Sequence, residues 1–413
     1  MKYLMSISGN IPHAGISNIN IPLNRRNLII TGKNGSGKTS FLKKLNEKLD
    51  LHFSKQIQQN QSDQNAVKHY LTQLQSYPEG SYEHSNAQQQ LSFFQARIDK
   101  ANDALTLNID NELELIQLYD NNKAIYKSFE AMRTSSILSV TSSTSIEQEK
   151  SSAKQNKSLN LGQKLEQHLI NIRISKAFSF ERNDSTQLKK LNSWFEKFDN
   201  NLKLLFENDS TTLIFKEQSL KFKIKLNDRE FDFQNLSSGY QAIFDIFADL
   251  LVRTEFFDIS PEELRGIVLI DEIDAHLHIS LQKKILPFFT NLFPSVQFIV
   301  STHSPFVITS TDDDTVVYDI SSGEFFEDDL SRYSYESVIK GLFHVETQSE
   351  QLASETKAIA EILNNEPNNY EKLREILRNI SPFAKQLDVE SKSFYFKALN
   401  HLLDNQELGD LDV

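Results

Sequence analysis

Five short segments carry residue types whose order can do phosphoryl chemistry. The first is Gly32–Thr39, reading Gly-Lys-Asn-Gly-Ser-Gly-Lys-Thr, which has the G-x-x-x-x-G-K-[ST] spacing of a loop that cradles phosphate. Gly32, Gly35 and Gly37 lack the Cβ that would hold the backbone away from phosphate oxygens. Lys33, Asn34 and Ser36 fill the loop, and Ser40 follows it. Lys38 is long enough to reach the β- and γ-phosphates of a nucleoside triphosphate, and the Thr39 hydroxyl is placed to ligate Mg²⁺.

The second segment, Ile267–Glu272, is an apolar run ending in two carboxylates. Such a run buries a central strand and presents its acids where α/β sheets place ligands. Asp271 is the candidate to hold Mg²⁺ through water. Glu272 is the candidate to orient and deprotonate an attacking water, a separate task that needs a second carboxylate. Asp274 lies just behind. His303, within Ser301–Phe306, follows another apolar run and is placed to contact the γ-phosphate and the water. The last segment, Leu236–Gln241, precedes a strongly apolar helical pattern. Ser237 and Ser238 can cap that helix and Gly239 allows close approach, leaving the helix N-terminus to face an anion. Ser237, Ser238 and Gly239 therefore join the glycine loop as candidate nucleotide-binding residues. Asp274, His276 and His278 could suggest a transition-metal site, but alternating histidines on a turn converge poorly.

The flanking patterns supply the elements that must position these groups. Asn27–Thr31 reads as a strand running into the glycine loop, and Ser40–Leu49 has helical spacing. Residues 2–8 and 17–22 read as strands. Residues 54–103 are Gln/Asn-rich with helical periodicity, broken at Tyr77–Tyr82, which predicts a helical hairpin. Leu113–Tyr119 and Ala124–Phe129, joined by Asp120-Asn121-Asn122, read as a β-hairpin. Ser135–Ser158 has the composition of a mobile loop. A long helix, broken near Asn183–Ser185, is expected from about Leu161 to Phe206. Three strands at 212–217, 220–226 and 230–233 follow. Gly266–Ile270 and Val296–Ser301 read as buried strands, and residues 324–413 as mostly helical.

Composition narrows the function classes. No cysteine is present, which removes disulfides and thiolate zinc sites and fits a reducing, cytoplasmic setting. No apolar run approaches the ~20 residues of a membrane helix, and the N-terminus lacks the pattern of a secretory signal. The net charge of −12 argues against generic nucleic-acid binding, which phosphate neutralisation drives. Local lysine clusters (Lys43, Lys44 and Lys48; Lys189 and Lys190) leave DNA held by a dimer or a partner open.

Taken jointly, the segments resemble the ABC-type ATPase head. GKNGSGKT resembles its Walker A motif, LSSGYQ its signature motif, IVLIDE its Walker B motif, Asp274 its D-loop acid and His303 its switch histidine. The resemblance implies an α/β P-loop NTPase fold with ATP and Mg²⁺ as cofactors, and it adds Gln241 and Asp274 to the candidate nucleotide-binding residues. It further implies a head-to-tail dimer, in which Ser237 and Gly239 of one copy meet the γ-phosphate held by Lys38 of the other. The long insertion between Thr39 and Leu236 and the THSPF form of the switch segment resemble the SMC/RecF/OLD branch. Phe129–Arg133 and Tyr333–Val345 resemble stand-alone ATPases of bacterial anti-phage systems such as Septu and PARIS. The organisation implied is an ATPase lobe at 1–50 and 104–134, a helical insertion at 51–103, and a mobile and helical segment at 135–205. A signature, Walker B and switch lobe follows at 206–323, then a helical C-terminal region at 324–413. Gln117 is the candidate for the family's Q-loop glutamine. No nuclease signature is present, so the resemblance implies a separate nuclease effector. A DNA-repair or chromosome-maintenance ATPase and a transporter subunit are the competing functions.

Overall fold

A computed structural model describes residues 2–56, 60–102, 105–133, 137–140, 146–343 and 348–409. The chain divides into two compact units, Met1–Tyr335 and Glu336–Val413.

The first unit begins with β1 (Leu4–Ile11), β2 (Ile16–Pro22), β3 (Asn27–Thr31) and α1 (Lys38–Phe53). The predicted helical hairpin follows as α2 (Asn60–Ser76) and α3 (Tyr82–Asn102). Then come β4 (Leu105–Ile109), α4 (Glu112–Asp120), β5 (Ala124–Phe129), α5 (Ile146–Gln155), α6 (Leu165–Glu181) and α7 (Ser185–Phe206). Three short strands, β6 (Thr212–Lys216), β7 (Lys221–Leu226) and β8 (Arg229–Phe231), precede α8 (Ser238–Phe256). The unit closes with β9 (Arg265–Ile270), β10 (Val296–Ser301), β11 (Thr315–Asp319) and β12 (Glu324–Phe326).

The central sheet has the order β12-β11-β3-β10-β9-β5. All neighbours are parallel except the edge pair β11 and β12. Parallel strands are covered on both faces, which is why β3, β10 and β11 are buried throughout and read as continuous apolar runs. At Gly266 the fit between β9 and β5 is close: a Cβ there would lie 1.8 Å from the Ile125 carbonyl oxygen. The backbone at Gly266 is also at φ +126°, a conformation other residues rarely adopt.

A second sheet, β2-β1-β4, is antiparallel. Gln297, fully buried in β10, joins it to the central sheet. Its Oε1 accepts from the Tyr3 and Leu4 amides at 3.2 and 2.8 Å, and its Nε2 donates to the Leu4 and Arg26 carbonyls at 3.0 and 2.7 Å. A buried amide with all these bonds made is stabilising, whereas the same amide unpaired would cost about 1–3 kcal/mol.

Two expectations give way. Leu113–Tyr119 is not a strand but part of α4, so no β-hairpin forms with β5. The Asn-rich turn suggested a hairpin, yet the buried pair is adjacent, Leu115 and Ile116, which a strand would point to opposite faces. β5 instead pairs in parallel with β9. Within the stretch read as a mobile loop, residues 146–155 form α5. Ala153 is fully buried there, and Lys150 and Lys154 pair with Asp258 at 2.5 and 3.7 Å. Residues 135–136 and 141–145 of that stretch lie outside the described residues.

The second unit is a helical cluster of Glu350–Asn365, Tyr370–Ile380 and Val389–Asp404 around Ile359, Leu373, Leu377 and Leu402. Ser349, Asn369 and Asp388 cap these helices through side-chain oxygens. It starts at Glu336, and β12 still belongs to the central sheet, so the boundary falls later than residue 324.

His168 on α6 is buried with both ring nitrogens unpaired among the described residues, its ring set edge-on to Trp194 and Phe256. Burial pushes its pKa down to about 4, so it is neutral in the fold. The unfolded chain takes up a proton as pH falls below about 6.5 while the native state does not. Stability should therefore fall by about 3 kcal/mol between pH 6.5 and 4 from this residue alone. Denaturant titrations across that range should show the loss in the wild type and a flatter profile in His168→Phe.

Candidate functional site

The parallel strands deliver their C-terminal ends to one edge of the sheet, and nearly all of the candidate chemistry stands there. β3 ends at Thr31 and enters the glycine loop. β10 ends at Ser301 and leads into Thr302-His303-Ser304. β9 ends at Ile270 and leads into Asp271 and Glu272. β5 ends at Phe129 and leads into the turn 130–133. Main-chain bonds continue the ladder past the strand ends: Asp271 N to Phe129 O at 2.9 Å, Ile273 N to Ser301 O at 3.0 Å and Thr302 N to Ile30 O at 3.1 Å.

The glycine loop has the backbone its sequence requires. Gly32, Gly35 and Gly37 have φ of 139°, 77° and 95°. A Cβ on Gly32 would meet Ser321 Oγ at 2.5 Å. The Lys33 amide donates to that same hydroxyl at 2.7 Å, so the turn after β11 steadies the loop from behind. Lys38 is buried and donates to the Gly32 and Lys33 carbonyls, both at 3.0 Å. Burial lowers its pKa, while Glu272, Asp271, Asp319 and Asp274 pull it back up. The Ser36 hydroxyl is buried with no partner among the described residues. Lys33, Asn34, Gly35 and Thr39 are exposed, and Ser40 is half-buried. An unpaired hydroxyl, a lysine curled over loop carbonyls and a glycine-lined cradle at a helix N-terminus fit the phosphates of a nucleotide.

The acidic side is held more rigidly. Asp271 is buried and accepts from Ser301 Oγ at 2.5 Å, and Ser301 Oγ in turn accepts from the Glu272 amide at 2.8 Å. Glu272 has a left-handed backbone, φ 47°, which costs a non-glycine residue roughly 1–2 kcal/mol. Arg133 faces the opposite side of this turn. Its Nη1 donates to the Asp271 carbonyl at 2.8 Å and its Nη2 to the Glu272 carbonyl at 2.7 Å. Asp274 accepts from Thr302 Oγ1 at 2.6 Å. His303 is half-buried. Burial and then Lys38 depress its pKa, against the pull of Asp274, Glu272 and Asp271, so the ring is neutral at pH 7. An acid pair braced on both sides, with a neutral imidazole in the same electrostatic field, can hold Mg²⁺ and handle the proton of an attacking water.

The N-terminus of α8 behaves differently from the expectation. Ser237 is the N-cap, but neither serine makes a side-chain capping bond, and both are exposed. Gly239 allows a close approach, but to this chain's own backbone: a Cβ would lie 2.6 Å from the His276 carbonyl oxygen. Gln241 folds back, its Nε2 donating to Gln234 O at 3.2 Å and Leu236 O at 2.8 Å. Among the described residues no hydrogen bond ties Ser237, Ser238 or Gly239 to the glycine loop of the same chain. Gln117 is exposed on α4, away from any strand end, so it does not stand where a glutamine after a central strand would. His278 caps the short helix Ile279–Gln282 through its side chain.

Sequence reasoning assigned no site role to four residues that organise the site: Ser301, Asp319, Ser321 and Arg133. Each lies at or just past the C-terminal end of a central strand. The signal that could have found them was sheet order, which local periodicity does not carry.

A glycine loop between a buried parallel strand and a helix, with two carboxylates ending another parallel strand of the same sheet, defines a P-loop NTPase. The chain belongs to the family described as "AAA domain, putative AbiEii toxin, Type IV TA system", whose model matches residues 28–309. The "Retron Ec83 probable ATPase" of Escherichia coli is 29% identical over 248 residues, covering 53% of this chain and 45% of that protein. The "Septu protein PtuA" of Bacillus mycoides (strain KBAB4) is 43% identical over 76 residues, 17% of this chain and 10% of that protein. The chain thus spans less than half the length of these curated relatives. A solved SMC head bound to the C-winged helix domain of ScpA overlaps at a TM-score of 0.34 and 14% identity, covering 78% of this chain and 97% of that one, too loose to bear on the fold. The resemblance to anti-phage ATPases drawn from the motifs agrees with the retron and Septu relatives.

Ser301→Ala removes both the acceptor for the Glu272 amide and the donor to Asp271. Stability should drop by about 1–3 kcal/mol from the unpaired buried amide. Turnover at limiting Mg²⁺ should fall by about 10-fold or more, as for loss of a group that orients a metal ligand. Chemical denaturation and a Mg²⁺ titration of ATPase activity measure the two effects.

Proposed function

We propose that this chain binds ATP with Mg²⁺, hydrolyses it in a head-to-tail homodimer, and passes the resulting change of shape to a separate effector. The observation that carries this reading is the state of α8. Its N-terminus is exposed, its serines cap nothing, and no hydrogen bond ties it to its own glycine loop among the described residues. A helix N-terminus with free amides suits an anion, and a second copy's nucleotide is the anion that the motif order supplies.

In this reading Gly32–Gly37 and Ser40 wrap the phosphates through main-chain amides and hydroxyls. Lys38 leaves its loop carbonyls for phosphate oxygens. Thr39 and Asp271 would hold Mg²⁺, Asp271 through water. Bound Mg²⁺ supplies charge neutralisation on the β- and γ-phosphates. Glu272 accepts the proton of the attacking water, and His303 steadies that water at the γ-phosphate end. Ser237 and Gly239 of the partner subunit close the pocket, with Ser238, Gln241 and Asp274 shaping that interface. These groups stabilise charge that develops as the γ-phosphoryl leaves, where fixed dipoles contribute most.

The effector we infer is a nuclease, and the setting anti-phage defence in the cytoplasm. Support comes from the retron and Septu relatives and from the resemblance carried by Phe129–Arg133 and Tyr333–Val345. No described helix is long and apolar enough to cross a membrane. The net charge of −12 does not favour direct DNA binding.

Lys38→Ala should lose ATP binding. Glu272→Gln should keep ATP and accumulate the dimer, with turnover down by two orders of magnitude or more, on the order of losing a general base. Ser237→Arg should bind ATP but neither dimerise nor hydrolyse it. Light scattering with nucleotide and steady-state turnover test all three. A Ser237→Arg protein with normal turnover would remove the shared site.

A further inference from the structure

We propose that Arg133 is a positioning residue that sets the aim of Glu272 by gripping two successive main-chain carbonyls. The inference rests on Glu272 being the base of the site described above.

In an extended strand, successive carbonyls point to opposite sides. Beyond the end of β9 they do not: the carbonyls of Asp271 and Glu272 both reach one guanidinium, at 2.8 and 2.7 Å. The left-handed backbone of Glu272, φ 47°, brings them to the same side. A planar fork of N–H donors matches such a pair, whereas a single ammonium does not. The amide edge of the same turn is tied separately. Asp271 N bonds Phe129 O, Glu272 N bonds Ser301 Oγ and Ile273 N bonds Ser301 O. The turn is therefore held on its amide side by the neighbouring strands and on its carbonyl side by Arg133.

The Glu272 side chain makes no hydrogen bond or ion pair among the described residues. Its direction follows from the backbone that carries it, so whatever fixes that backbone fixes the carboxylate. Arg133 is poorly suited to a direct role on phosphate. Its Nη1 also donates to Glu130 O at 3.3 Å, and its Nε is buried without a partner. Its bonds go to main chain, and Asp245 of α8 adds the leading charge attraction on it. Phe129 and Arg133 are the ends of the segment singled out in the sequence, and the geometry gives that segment a task.

The experiment compares Arg133→Ala, Arg133→Lys, Glu272→Gln and the Ala/Gln double variant in the full chain. Measurements are ATP affinity, single-turnover hydrolysis and amide hydrogen exchange at Glu272 and Ile273. Arg133→Ala should hydrolyse roughly 10–100-fold more slowly, the scale of a base misplaced by about an ångström, with ATP affinity within about threefold of wild type. Arg133→Lys should recover only part of the loss. On the Glu272→Gln background, Arg133→Ala should have no further effect beyond about threefold, because residues acting as one unit are not additive. Exchange at Glu272 and Ile273 should accelerate in Arg133→Ala.

A hydrolysis rate unchanged within threefold, an undiminished effect on the Glu272→Gln background, or a loss confined to ATP affinity would each overturn the proposal. If the wild-type chain binds no ATP, the reading of the site fails instead. The exchange arm still decides the grip: faster exchange in Arg133→Ala supports it and unchanged exchange refutes it.

Discussion

The placement of β9 between β5 and β10 is the constraint on which the site depends. Parallel pairing on both sides leaves β9 no freedom of register, and Gly266 permits an approach that any side chain would prevent. With register set, the chain leaves the sheet at Asp271 beside the ends of β5 and β10. The residues that brace the carboxylates, Ser301 and Arg133, come from those two neighbours. A slip of one residue would place the acids on the wrong face, since side chains alternate along a strand.

The acid turn shows how a locally unfavourable backbone is kept. Glu272 adopts a left-handed conformation that its residue type disfavours. The Ser301 hydroxyl, the Ser301 carbonyl and the Arg133 guanidinium together offset that cost with bonds available only in this shape. The glycine loop uses the opposite device. Its positive φ angles fall on residues without a Cβ, and its lysine rests on carbonyls it can release. One side of the site is rigid and the other is adjustable, which suits the proposed pairing of fixed acids with a loop that would admit and release phosphates.

The interior of the first unit is built on the same economy of buried polar groups. Gln297 and Ser301 lie on β10 and are buried, and each makes the bonds its side chain can make. Gln297 ties the antiparallel sheet to the central one, and Ser301 ties the acid turn to β10. His168 departs from that rule, and it is the buried histidine whose charge state the fold suppresses.

What could be read from the sequence, and what could not, divides by the range of the interactions. The glycine loop, the paired acids, the position of His303 after a buried strand and the helix beginning at Ser238 were legible because each is a short run whose residue types follow from local chemistry. The helical hairpin and the three strands before α8 were legible from periodicity. Leu113–Tyr119 was misread because Asp120-Asn121-Asn122 suits a hairpin turn and a helix end equally, and packing of Leu115 and Ile116 decided for the helix. The stretch 146–155 was misread because its Ser, Lys and Gln content suits a loop, while Ala153 and the bonds to Asp258 hold it as a helix. By itself the sequence determined the chemical inventory and the strand-loop-helix context of the phosphate cradle, since those depend on neighbours a few residues apart. Only the tertiary structure decided that Arg133 and Ser301 clasp Glu272 and that Gly239 abuts His276. Those contacts join residues far apart in the chain, and the order of strands in the sheet sets them.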